Sequence, residues 1–443
     1  MNDSIIASVK EQICTTIDAH AGEIIAIGEQ ILHHPELGFK EYDTAALVAD
    51  TFRRLELPYR GELAITGVRA DLDSGRPGPT LALLGELDAI LVPEHPLADP
   101  ATGAAHACGH QSQIAGLLGA AIGLAATGAM QHLAGKITLF AVPAEEYVEL
   151  EYRRQLMREG AIEFLGGKPE LIRRGEFDDI DLAILIHCGD SNGAGIVRTI
   201  NGCVAKLVNF IGKSAHAGGS PHLGINALNA AHLALAAIHA QRETFRDTDT
   251  VRVHPIITKG GAVVNVVPSD VRLETFVRGK TVNAILDANR KVDRACQAGA
   301  LAVGGSVEIT TLPGYLPTIN TPELAEFFKE AVLPFIPEGS FEENDHWTAS
   351  TDMGDLSQIM PIVQPSIGGF SGAHHSAAFT VTDPYLAYVT PAKALARMAV
   401  DLLAHDASRA GTLLSTYTPP MNKAEYLAYQ RQLSRTEVFS YME

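Results

Sequence analysis

The sequence predicts an α/β protein built on a parallel sheet, with a ferredoxin-like β-α-β-β-α-β domain inserted into it. Three observations carry this. Over the first half of the chain, short apolar runs alternate with helix-length segments, the rhythm of strands joined by helical crossovers. Residues 200–312 change rhythm and follow the six-element order. At 443 residues the chain also exceeds what one hydrophobic core ordinarily organises.

Taken in order, "MNDSIIASVKEQICTTIDAH" reads as an amphipathic helix and lacks the basic, apolar and small-residue regions of a signal peptide. Residues 42–55 place Leu47, Val48, Phe52 and Leu55 at helical spacing. "TLALLGELDAI" is an apolar run ending in acids, as expected of a strand buried on both faces until it leaves the sheet. "QIAGLLGAAIGLAATGAM" is apolar over a helical length, "KITLFAVP" is a short strand, and "LAILIH" is a strand ending at His187. Ligands of parallel sheets gather at the carboxyl ends of strands, where Asp88, Glu145, Glu146 and His187 fall. In the middle region, "AKLVNFIG" is a strand and "INALNAAHLALAAIHA" a helix. "DTVRVHPIITKGG" and "DVRLETFVRG" are two strands, "LDANRKVDRACQAGALAVG" a helix, and "SVEITTLPG" the last strand. The expected division is therefore residues 1–199 with 313–443 as one domain and 200–312 as the insert.

Composition narrows the function. With 34 Lys and Arg against 52 Asp and Glu, the net charge is -18, and no basic run is present to hold nucleic acid. No apolar stretch approaches membrane-spanning length. Five scattered cysteines do not form a disulfide framework, which places the expected protein in a reducing, cytoplasmic compartment. An anionic substrate would need a local positive centre, and a bound metal is one way to supply it.

Four stretches carry the chemistry. In "HACGH", Cys108 and His110 form a C-x-H pair that can leave a tight turn toward one point, and thiolate with imidazole suits zinc or similar ions. Taken alone, a buried cysteine and a capping histidine have the same spelling. "FAVPAEE" sets Glu145 and Glu146 directly after a strand, where one acid can bind metal while the other carries a proton. Two solvated acids opening a helix would look similar. His187 ends a strand, and "GAHHSAAF" brings His374 and His375 in a loop. One Cys, three His and one Glu suffice for two ions in an open site.

These residues, with "HHPELGFKE" at His33, "GKSAHAGGSPHLGINAL", "GGAVVNVVP" and "TDMGD", occur in an order that resembles the aminoacylase and carboxypeptidase family of dinuclear metallohydrolases. The resemblance is to the branch of hippurate hydrolases, indole-3-acetyl-amino-acid hydrolases and aminobenzoyl-glutamate hydrolase subunits, and it spans most of the chain. It implies a metallopeptidase-like catalytic domain with a mixed, mainly parallel sheet, and a lid and dimerisation domain at 200–312. It puts metal ligands at Cys108, His110, Glu146, His187 and His375, the last chosen over His374 because the family loop has phenylalanine four residues on, here Phe379. It makes Glu145 the general base and His216 an oxyanion-stabilising histidine that reaches a neighbouring subunit. Asn265 and Arg278 become substrate contacts, and Asp88 orients a ligand imidazole.

Several positions depart from the branch. "LLGELD" stands where Arg-x-Asp-Met-Asp is usual, so Leu84 replaces the Arg and Glu86 the first Asp; Gln111 and Gln113 replace an Asp and a His after C-G-H. The implied activity is a metal-dependent hydrolysis of a C–N bond, foremost the amide of an N-acyl or N-aroyl amino acid. A nitroanthranilate-type deamination of an aromatic amine, or a non-catalytic dimeric metal-binding protein, are the alternatives. The expected cofactors are two divalent ions, Mn or Zn, with Co or Ni also compatible with mixed S, N and O donors. The expected partners are a small-molecule substrate and a second copy of the chain through the lid domain.

Overall fold

The computed structural model describes residues 3–189 and 191–442. The chain divides into two compact units. The larger comprises the residues up to Arg198 together with Ile319–Asp345 and Asp355–Pro420. Its sheet is built from β1 (Tyr59–Leu63), β2 (Gly67–Asp73), β3 (Thr80–Glu86), β4 (Lys136–Val142), β5 (Leu182–Leu185) and a short strand, Ile362–Val363, in the order β1-β2-β4-β3-β5 and then Ile362–Val363. Pairings β1–β2 and β2–β4 are antiparallel, and those from β4 through β3 and β5 to Ile362–Val363 are parallel. The sheet is therefore mixed and mainly parallel, as the family resemblance implies, with two antiparallel pairings that the alternation of strands and helices does not reveal. All seven residues of β3 are buried, which explains its unbroken apolar spelling. The carboxyl ends of β3, β4 and β5 lie side by side and deliver Glu86, the Glu145–Glu146 turn and His187 to one rim.

The helix His110–Ala126 is buried through Leu124, consistent with its apolar and small residues on every side. It packs on β3 and on the helices Asp3–Ala19, Ala21–Leu32 and Thr390–Thr416 within one continuous core. No helix among the described residues is long and apolar enough to cross a membrane.

The smaller unit comprises Thr199–Thr318, His346–Gly354 and the residues from Met421 onward. Its antiparallel sheet runs Arg252–Val253, Asp270–Gly279, Gly202–Ile211, Ser306–Pro313, Arg435–Ser440, with Ile256–Lys259 also paired to Asp270–Gly279. Helices Ala227–Ala240 and Val282–Val303 cover one face and share its core. Asn226 and Thr281 start them by accepting hydrogen bonds from first-turn backbone N–H groups. This is the ferredoxin-like order read from the sequence.

Three details differ from expectation. The strand expected across "DTVRVHPIITKGG" is two short strands separated at His254 and Pro255, because proline has no N–H to give the ladder. The C-terminal segment, expected with the catalytic domain, belongs to the smaller unit: Arg435–Ser440 pairs along Ser306–Thr311 and supplies partners to what would be an open edge. The strand expected to run to His187 ends at Leu185; His187–Cys188 begins a separate pairing with Ser366–Ile367.

Candidate metal centre and active site

The C-G-H turn depends on its glycine. Gly109 has φ of +80°, and a Cβ there would lie 2.3 Å from the sulfur of Cys188. Any side chain would separate the two candidate ligands on either side of it. Cys188 itself is buried, and its Sγ–H donates to the Cys108 carbonyl at 3.0 Å, a packing role. His110 is the first residue of its helix. Its Nδ1–H donates to the Asp88 carbonyl oxygen at 2.8 Å, which leaves Nε2 to face the other donors. Asp88 also accepts the Glu146 backbone N–H on Oδ2 at 2.8 Å, so one buried acid steadies two candidate ligands. His187 donates Nδ1–H to the Cys188 carbonyl at 3.0 Å and turns Nε2 toward Cys108.

The Glu145–Glu146 turn follows a left-handed residue, Ala144, at φ +53°. It opens no helix; both acids are buried, at 5% and 7% exposure, which rules out the solvated reading. Arg153, itself buried, donates to the Glu146, Ala144 and Leu165 carbonyls and packs its guanidinium against Phe39 and Tyr147. His375 comes from the C-terminal loop with φ +60°, and its N–H donates to the Ala107 carbonyl at 2.9 Å.

Together these elements place Cys108 Sγ 3.7 Å from His187 Nε2 and 3.3 Å from His375 Nε2, and His375 Nε2 3.1 Å from Glu146 Oε1. His374 points elsewhere, its Nδ1 3.9 Å from Cys188 Sγ and its ring near Phe379. The donors fall into three groups: Cys108 with His110 and His187, Cys108 with Glu146 and His375, and Glu86 with His110 and Glu145. Within each, the ligand atoms lie within 4.8 Å of one another. Bonds of about 2.0–2.3 Å to one ion put neighbouring ligand atoms about 3.0–3.7 Å apart, so the residues present fit a divalent cation. The buried His110 Nε2, which makes no hydrogen bond, points the same way.

Electrostatics agree. Burial alone would push the Glu146 carboxyl up, but His375 and His110 hold it at about 2. Burial pushes the His187 imidazole down, toward the neutral form a metal needs. Burial and the Glu146 charge push the Cys108 thiol well above its usual value, so a cation is what would turn it into thiolate.

Residues 82–400 match the profile of Peptidase family M20/M25/M40, more than half of the chain. The chain belongs to this family. Among relatives of the M20/M25/M40 chain, the Xaa-Arg dipeptidase of Homo sapiens is 27% identical, covering 87% of each protein. The indole-3-acetyl-aspartic acid hydrolase of Enterobacter agglomerans is 30% identical over 75% of this chain and 77% of its own. A dinuclear metal-binding M20 peptidase of Bacillus subtilis shares the fold at a TM-score of 0.65 and 20% identity, covering 87% of this chain and 99% of that one. The M20/M25/M40 chain is thus a metal-dependent hydrolase of C–N bonds.

The larger unit of this M20/M25/M40 hydrolase also holds residues that sequence reasoning did not place in the site. Glu86 is wholly buried beside His110, paired with the equally buried Lys168 and bonded to Gln113. The substitution of Glu for Asp at position 86 was the available signal; nothing in "GGKPE" marks Lys168 as buried. Burial would raise the Glu86 carboxyl, but the Lys168 ammonium, and after it His110, hold it at about 2. In the smaller unit, His216 and Asn265 are brought together by backbone pairing, with Ala217 N–H donating to the Asn265 carbonyl at 2.9 Å. His216 Nδ1 accepts the Gly218 and Gly219 N–H groups, leaving the ring proton on an outward Nε2. Arg278 lies apart from them, with its guanidinium donating to Ser350 Oγ at 2.8 Å.

Proposed function

We propose that this M20/M25/M40 chain hydrolyses the amide of N-acyl or N-aroyl amino acids at a two-ion centre held by Cys108, His110, Glu146, His187 and His375. The observation that carries the reading is Cys108, whose sulfur belongs to two donor groups at once, with the Glu145 carboxylate 3.9 Å from His110 Nε2. The names of the relatives support the substrate class, since each acts on an amide that ends in an amino acid. Manganese or zinc suits the donor set, and cobalt or nickel is also compatible with it.

When bound, the ions supply Lewis acidity and make water acidic enough to deprotonate near neutral pH. Glu145 accepts that proton as the water oxygen bonds to the amide carbon, then hands it to the nitrogen as the C–N bond breaks, so a free acid and a free amine leave. In the dimer, His216 of a second copy donates an Nε2–H hydrogen bond to the oxyanion, with Asn265 alongside it, and Arg278 contacts the substrate. A homodimer through the smaller unit fits the exposed Ile256 and Ile257 on its outer strand and the neighbouring Val263 and Val264, which form an apolar edge that a second copy would cover.

The test is mass spectrometry of products from manganese- or zinc-loaded protein against N-acyl amino acids, N-aroyl amino acids, aminobenzoyl-glutamate and nitroanthranilates. Release of a free amino acid is expected. Ammonia with a hydroxylated ring would replace this reading by aromatic deamination, and bound metal with no turnover on any substrate would favour the non-catalytic one. Glu145→Gln is expected to lower kcat by about 10²–10⁴ with metal content unchanged; a variant as active as the parent removes Glu145 from its role.

A further inference from the structure

One buried carboxylate beside the ligands has no part in that proton transfer. Glu86 ends β3 with no exposed surface. Lys168 Nζ donates to its Oε1 at 2.5 Å, the Gln113 amide donates to its Oε2 at 2.8 Å, and its own N–H donates to Gln113 Oε1 at 3.0 Å. Lys168 and Gln113 are buried as well, so the carboxylate is fixed on the side away from the ligands. On the other side, Oε2 lies 3.1 Å from His110 Nε2.

That contact is not a hydrogen bond. The imidazole proton is engaged at Nδ1 by the Asp88 carbonyl. His110 Nε2 and Glu86 Oε2, both buried, fall with Glu145 into one group of donor atoms that lie within 4.8 Å of one another, the spacing of ligands around one cation. A cation bonded to both at about 2.1 Å, with a near right angle between the bonds, would set them about 3.0 Å apart.

We infer that Glu86, which shares a donor group with His110, is a further ligand of the ion that His110 holds. Lys168 and Gln113 act as positioning residues: they keep the carboxylate charged and aimed, and leave Oε2 one lone pair for the ion. This rests on the two-ion reading above.

The experiment compares the wild-type chain, Glu86→Gln, the double variant Glu86→Gln/Lys168→Met and His375→Ala. Ion stoichiometry and affinity are measured by equilibrium dialysis against Mn²⁺ and Zn²⁺, and the visible absorption of the Co²⁺-loaded protein reports ligand number. The double variant removes both buried charges together, so it folds without an uncompensated cation. Both Glu86 variants are expected to bind one ion as the wild type does and the other at least ~10-fold more weakly, with an altered Co²⁺ spectrum. Two ions bound with unchanged affinity and an unchanged spectrum in both variants would overturn the inference. If His375→Ala loses an ion while the Glu86 variants do not, the two-ion reading stands and Glu86 alone is excluded. If the wild type binds no ion, the reading and the inference fall together.

Discussion

Glu41 shows how far a single buried acid reaches. It has no exposed surface, accepts the Thr66 hydroxyl and the Ala144 N–H, and so supports the turn that carries Glu145 and Glu146. Burial, then the Asp88 charge, push its carboxyl up to about 7 from 4.5. Between those two values the unfolded chain releases the proton while the folded chain keeps it, so this group lowers stability as pH rises through the window. The loss is on the order of 3 kcal/mol at most. Glu41→Gln keeps an acceptor for Ala144 and is expected to lose less stability than the parent between pH 5 and pH 7, measured by urea unfolding with chelator present. Equal losses would show that Glu41 is ionised in the fold.

Among the secondary-structure elements, those with strong local patterns were legible and those defined by distant partners were not. β3, the His110 helix and the two capped helices of the smaller unit have spellings that burial and capping explain directly. The donor set Cys108, His110, Glu146, His187 and His375 was reached through motifs whose order resembles the family; the apolar strand running up to the Glu145–Glu146 pair was readable by itself, whereas His110 opens a helix and His375 sits in a loop. Lys168 was not legible, because its partner lies 82 positions away and a lysine in a short helix ordinarily faces water. The strand Arg435–Ser440 was missed for a related reason: "RTEVFS" is half polar and becomes a strand only through its register on Ser306–Thr311. Deleting residues 434–443 is expected to lower the melting temperature and promote association, read by calorimetry and light scattering. An unchanged monomer–dimer profile and melting temperature would mean that the edge is protected in another way.

At the scale of the molecule, the larger unit gathers Glu41, Glu86, Asp88, Glu145 and Glu146 within its interior, in a chain already carrying a charge of -18. Divalent cations answer that concentration of negative charge, so the fold and the ions are thermodynamically linked. Chelation is expected to lower the melting temperature, and readdition of Mn²⁺ or Zn²⁺ to restore it in proportion to the logarithm of free ion. A melting temperature indifferent to chelator would sever that link. The sulfur of Cys108 is common to two donor groups, and its thiol has one proton to lose. If it serves both ions as proposed, whichever ion arrives first displaces that proton and the other meets a thiolate already formed. The two affinities are then coupled, and a calorimetric titration in buffers of different ionisation enthalpy is expected to register the thiol proton in the first step alone.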